Sequence, residues 1–229
     1  MDLCLAVLVL SKRPGMYSNI IENIRRQIRK PDIVVLAVSN SPDYVRWMEA
    51  DLESTEIAKT HLICPSDNLN YSKLNNEAID FTQQKMIAPG LIYKMDDDDW
   101  YGPGYLFQME GAFLDKPEAA IVGIKDVNTR WLYGNFKKGV EMAKIVTEKP
   151  FVADIVCGPT ICINLELWRK WPLFRYNPEC TPDYNADNDF FKSLGRYAGA
   201  IYSVDSREFF YQRYPPEHGH GWNQPDPKE

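Results

Sequence analysis

The sequence predicts an α/β domain built around a largely parallel sheet, and three observations carry that expectation. Residues 3–10 form an unbroken apolar run, the pattern of a strand covered on both faces. Apolar runs and amphipathic stretches then alternate through the first hundred residues, as in successive βαβ units. The run at 91–93 leads straight into four consecutive carboxylates, Asp96, Asp97, Asp98 and Asp99, where open α/β sheets collect their ligands.

The elements follow in order. After the first run comes a polar turn, 11–15, carrying Ser11 and Arg13. Met16, Ile20, Ile24 and Ile28 recur every four residues with Arg25, Arg26 and Arg29 beside them, which predicts an amphipathic helix through Ile28. A second strand is expected at 33–38, ending at Ser39, followed by a helix from Asp43 and a short strand over 61–64. A polar loop over 65–73 leads into a helix marked by Leu74, Ala78 and Phe81. The loops 11–15, 39–43, 66–73 and 96–102 should gather along one sheet edge.

The second half is less regular. A helix is expected around Tyr105, Met109 and Phe113, a strand at 119–124, part of a hairpin at 129–134 and a helical segment at 165–171. A polar loop, 176–187, precedes a helix marked by Phe190, Phe191 and Leu194 and a strand at 200–204. Residues 135–150 are too charged to place, and 215–223 hold too much Pro and Gly for a regular element.

With 229 residues, 45% of them apolar, the chain can bury one sizeable core, and no linker or repeat divides it, so one domain over 1–229 is expected. A net charge of −6 argues against a nucleic-acid partner, whose phosphates call for a basic surface. Five cysteines without zinc-like pairing fit reduced thiols. The opening run is too short to cross a membrane and lacks a signal peptide's basic flank, so a soluble cytoplasmic protein is expected.

Four adjacent carboxylates repel unless a cation or hydrogen-bond donors hold them. Hard oxygen ligands suit magnesium or manganese bridging to substrate phosphates, whereas a solvated acidic turn is the bland reading. Lys94 to Leu106, with Asn76-Glu77-Ala78-Ile79 upstream, resembles the nucleotide-sugar half of family 2 glycosyltransferases, whose signature is Asp-X-Asp followed by an aromatic, a proline and a leucine. The opening strand with its Ser11/Arg13 turn, the second strand, and 186–191 are similar to further family segments. Two departures stand out: Ser39, Asn40 and Ser41 occupy the place of an aspartate that often contacts base or ribose, and Ala186 stands where Glu is usual.

The resemblance implies a GT-A fold, a Rossmann-like mixed central sheet flanked by helices, with a nucleotide-sugar half over 1–100 and an acceptor half over 101–229. It implies a metal-dependent transferase moving a sugar from a nucleotide-diphosphate sugar, UDP-linked before GDP-linked, to a hydroxyl of a carbohydrate or glycan acceptor. Asp98 would be the direct ligand of Mn2+ or Mg2+, with Asp96 near the ribose or a metal-bound water and His218 or His220 completing the shell. Ser11, Arg13, Ser39, Lys73, Asn76, Asp96 and Asp97 would line the donor site. Asp97 and Asp99 could equally be solvated or cap the next helix. Asp187 would be the general base of an inverting reaction, with Asp189 as the alternative; a helix N-cap is the structural reading of the first. His218 and His220 could be surface residues, Arg13 and Lys73 solvated loop charges, and Trp131, Tyr133, Trp168 and Trp171 core packing or an acceptor groove. Two other functions compete: a nucleotidyltransferase, which should show a Gly-rich basic loop near the N-terminus, and a carbohydrate-binding protein with structural calcium.

Overall fold

A computed structural model of the chain describes residues 3–11, 13–38, 59–63, 70–86, 90–131, 151–171, 174–180, 186–194, 200–206 and 208–213. Four parallel strands form one half of an eight-stranded sheet: β1 (Cys4–Ser11), β2 (Ile33–Val38), β3 (Lys59–Ile63) and β4 (Gly90–Asp96), in the order β3-β2-β1-β4. The sequence runs outward from β1 to β3 and then returns to place β4 on the other side of β1. That reversal is a topological switch point, and it opens a crevice at the carboxyl ends of β1 and β4, where Leu10 pairs with Asp96.

Beyond β4 the sheet becomes mixed. β9 (Cys162–Asn164) runs antiparallel between β4 and β6 (Ile121–Gly123), β10 (Ile201–Ser203) lies parallel to β6, and β8 (Phe151–Val152) closes that edge. A second, three-stranded sheet joins β5 (Trp100–Tyr101), β7 (Asn128–Trp131) and β11 (Phe209–Arg213). Of the expected hairpin at 129–134 only the first strand is described: β7 pairs parallel with β11, some eighty residues later in the chain, and residues 132–134 lie outside the described residues.

Alternation along the central strands sorts the core into two layers. Leu5, Val7, Val9, Tyr93 and Met95 pack with α1 (Tyr17–Arg25) and α3 (Tyr105–Asp115). Ala6, Leu8 and Ile92 pack with α2 (Tyr71–Lys85), α4 (Leu165–Lys170) and α5 (Ala186–Leu194). The result is a sheet covered on both faces, which is why its central strands read as continuous apolar runs.

Two helix boundaries differ from expectation. α1 stops at Arg25, so Ile28 is 74% exposed, and its backbone N–H is taken by Pro103 O at 2.8 Å instead of a helical carbonyl. α2 begins inside the expected loop, at Tyr71, because the Asn70 side chain caps it by accepting from Lys73 N at 2.9 Å. The expected helix from Asp43, the charged segment 135–150 and the tail 215–223 lie outside the described residues.

Candidate active site

The acidic run begins on the last residue of β4, and its four carboxylates have different surroundings. Asp97 is buried and is not solvated: Arg13 meets it through Nε at 3.2 Å and through Nη2, and Ser11 Oγ donates to it at 2.6 Å. Arg13 also reaches Asp98 Oδ2 with Nη1 at 2.9 Å. One guanidinium thus bridges two neighbouring carboxylates, and their hydrogen bonds outweigh its partial burial and keep it charged. Asp99 accepts from Gln212 N on β11 at 2.9 Å and caps no helix, since the residue before α3 is Gly104.

The turn's backbone is held by a row of amides on α1 and just past its end. Asn19 donates to the carbonyls of Asp97 and Asp99 at 2.8 and 2.9 Å, and Asn23 donates to Asp99 O at 2.8 Å while accepting from Tyr101 N at 3.0 Å. Gln27 donates to Gly102 O at 2.8 Å and accepts from Leu106 N at 3.1 Å. Tyr101 completes the frame, accepting from Asp96 N at 2.7 Å and donating to Pro159 O at 2.8 Å. The signal was visible in the sequence as Asn19, Asn23 and Gln27, one helical turn apart beside Ile20 and Ile24.

These constraints leave Asp96, Asp98 and Asp99 with carboxylate oxygens lying within 4.8 Å of one another. Burial pushes the Asp96 carboxyl up to about 7; Lys94 opposes that rise, while Asp98, Asp187 and Asp97 add to it. Three hard oxygen donors this close suit a divalent cation, and Asp99 joins the pair expected from sequence.

Beside the triad lies a second charged cluster. Lys94, one residue pair back along β4 on the same face as Asp96, is 1% exposed. Its ammonium lies 3.1 Å from Asp187 Oδ1, 2.7 Å from Tyr71 OH and 3.4 Å from Tyr176 OH. Burial works against that charge, but Asp187 foremost, with both tyrosines and Asp96, holds it firmly protonated. Tyr176 OH also donates to Asp187 Oδ1, at 3.0 Å. Burial, with Asp187, pushes both tyrosine hydroxyls up, so they stay protonated donors.

Solved structures share this arrangement of strands. S. aureus TarS 1-349 superposes with a TM-score of 0.61 at 16% identity, over 94% of this chain and 62% of that one. The mannosyltransferase PcManGT from Pyrobaculum calidifontis, in complex with GDP-Man and Mn2+, gives 0.57 at 14% identity, over 90% and 57%. GalNAc-T7 with UDP, GalNAc and Mn2+ gives 0.65 at 7% identity, over 92% and 44%. The fold is GT-A. No protein-family model and no curated protein matches the chain. This GT-A chain spans about two fifths to three fifths of the length of those structures.

Within the GT-A frame the remaining expected residues divide. Asp187 sits inside the first turn of α5, not ahead of it, and reaches the site through Lys94; Asp189, two residues on, is half-buried. Asn76 clasps the Tyr176 backbone, donating to its carbonyl at 2.8 Å and accepting from its N–H at 3.0 Å. Lys73 lies 3.9 Å from Glu179 in an exposed pair. Both therefore engage the segment 174–180. Trp168 is fully buried in the core against Phe174 and Phe190, and Trp171, partly buried, packs on Phe174 at the core's margin. Ser39, His218 and His220 lie outside the described residues, as does Tyr133. Among the described residues no helix is long and apolar enough to cross a membrane.

Proposed function

We propose that the chain is a metal-dependent glycosyltransferase that moves a sugar from a nucleotide-diphosphate sugar to an acceptor hydroxyl with inversion. The observation that carries this reading is the triad Asp96, Asp98 and Asp99 at the switch point of a GT-A sheet. Two of the similar structures bind Mn2+, one with GDP-Man and one with UDP and GalNAc. Asp98 and Asp96, with Asp99, would hold Mn2+ or Mg2+, which when bound offsets the negative charge of the departing diphosphate.

The chain's own residues supply the rest. Arg13 and Ser11 fix Asp97 and the entry to the turn, so the triad is set before substrate arrives. Asp187 is the general base: it takes the proton of the acceptor hydroxyl as that oxygen bonds to the anomeric carbon, and the bond to the diphosphate breaks with its electron pair leaving on phosphate. A UDP-sugar is the first donor to test and a GDP-sugar the second; an asparagine and two serines follow β2 where an aspartate often reads base or ribose, so the base is left to the binding measurement.

Thermal unfolding of the wild type and Asp98→Asn with UDP, GDP, dTDP or CMP, each with Mn2+, Mg2+ or EDTA, tests the proposal. Metal-dependent stabilisation by one nucleotide, lost in the variant, supports it and names the base. Stabilisation by calcium alone overturns it in favour of a structural metal site.

A further inference from the structure

Lys94 stands out because a buried ammonium is costly, and apolar side chains of similar volume would stabilise a core at least as well. Its setting is fully satisfied: three N–H donors meet three oxygens, on Asp187, Tyr71 and Tyr176. The rings of Tyr71 and Tyr176 flank the charge, with centroids 5.0 and 5.6 Å from Nζ. Each partner is itself held. Tyr176 stacks on Phe190 of α5 with centroids 4.2 Å apart, and Asn76 fixes its backbone on both sides. Tyr71 meets Tyr176 edge-on at 6.4 Å.

Among the described residues, both hydrogen bonds to the Asp187 carboxylate fall on one oxygen, Oδ1. Oδ2 lies instead over the bare Cα of Gly158: a Cβ there would collide with Oδ2 and stand 3.0 Å from Cγ. Resting on the transferase reading above, we infer that Lys94 is a positioning residue that, with Tyr176, pins Oδ1 of Asp187 and leaves Oδ2, over Gly158, to take the acceptor proton. The glycine is needed for room. A second route to the same oxygen thus exists that alters no charge.

The test compares wild type, Lys94→Met, Lys94→Arg, Gly158→Ala, Asp187→Asn and the Lys94→Met/Asp187→Asn double variant. Binding of UDP and GDP with Mn2+ is measured by calorimetry, and release of nucleotide from UDP- or GDP-sugars with methyl glycosides as acceptors gives kcat and KM. Lys94→Met and Gly158→Ala should each lower kcat by about 100-fold, within the range for a displaced general base. Nucleotide affinity and donor KM should stay within about 2-fold, because the lost interaction serves the transition state alone. Lys94→Arg should recover part of the loss. In the Asp187→Asn background Lys94→Met should cost less than about 3-fold more, since groups acting as one unit are not additive.

A wild-type kcat in Lys94→Met, a loss confined to KM, or full additivity with Asp187→Asn would overturn the inference. If circular dichroism shows Lys94→Met unfolded, Gly158→Ala decides, and a wild-type kcat there overturns it equally. A wild type that binds neither nucleotide with Mn2+ and releases none overturns the transferase reading itself, a result seen without any variant.

Discussion

β4 has two buried faces that meet the same burial with different chemistry. On one, Leu91, Tyr93 and Met95 join α1 and α3 in an apolar layer, and the Tyr93 hydroxyl is buried with no hydrogen-bond partner among the described residues. On the other, Ile92 is followed by Lys94 and Asp96, and every hydrogen of the Lys94 ammonium has a partner. A neutral hydroxyl can be left unpaired at a cost of about 1–3 kcal/mol, whereas an unpaired buried charge costs several times more. The apolar face therefore tolerates loose accounting of polar atoms. The charged face demands side chains brought from α2, α5 and the segment 174–180, and that demand fixes the geometry of the site.

Substitutions on the two faces should diverge accordingly. Lys94→Met leaves Asp187 beside a dry neighbour and should lower stability by about 3–5 kcal/mol in urea unfolding, as when one partner of a buried pair is removed. A loss below about 1 kcal/mol would mean that the two faces are alike. Asn23→Ala removes two buried hydrogen bonds to the acidic turn, one to Asp99 O and one from Tyr101 N, and should cost about 2–3 kcal/mol and weaken Mn2+ binding as the triad loosens. Unchanged Mn2+ affinity in that variant would show that the turn holds its shape without α1.

The charged face should also respond to pH. With the Asp96 carboxyl raised from 3.8 to about 7, the folded protein holds a proton there that the unfolded chain releases near 4. Stability from this group is complete below about pH 4 and declines as pH rises toward 7. Mn2+ must displace the same proton, so its affinity should climb through pH 6–7 and level off above, by calorimetry. Asp96→Asn should flatten the stability profile over that window. The smallest effect is expected on the apolar face, where Tyr93→Phe removes an unsatisfied hydroxyl and should change stability by less than about 1 kcal/mol, with either sign. A large loss would reveal a partner for that hydroxyl.

The strands nearest the site were legible because a strand covered on both faces reads as a nearly continuous apolar run, as β1 through Leu10 and β2 do. The acidic run was legible as a site because consecutive carboxylates need holding. The same reasoning said nothing of what holds them. The apolar period of the helix singles out Ile20 and Ile24 and is silent on Asn19, Asn23 and Gln27, yet Asn23 and Gln27 are 1% exposed and face the turn. Ile28 kept the helical period but fell beyond the helix end, since the pattern does not say where the backbone bonds leave. The pairing of β7 with β11 was hidden for a similar reason: a parallel partner far along the chain leaves no local mark.

By itself the sequence determined the alternation of strands and helices and the cluster of carboxylates at the end of one strand. These follow from period, run length and charge, which are local. The tertiary structure alone decided that Asp97 is spent on Arg13 and Ser11, that Asp99 turns inward with Asp96 and Asp98, and that Lys94 is buried against Asp187. Each depends on which distant side chain arrives within hydrogen-bond reach, and that is set by how the layers pack.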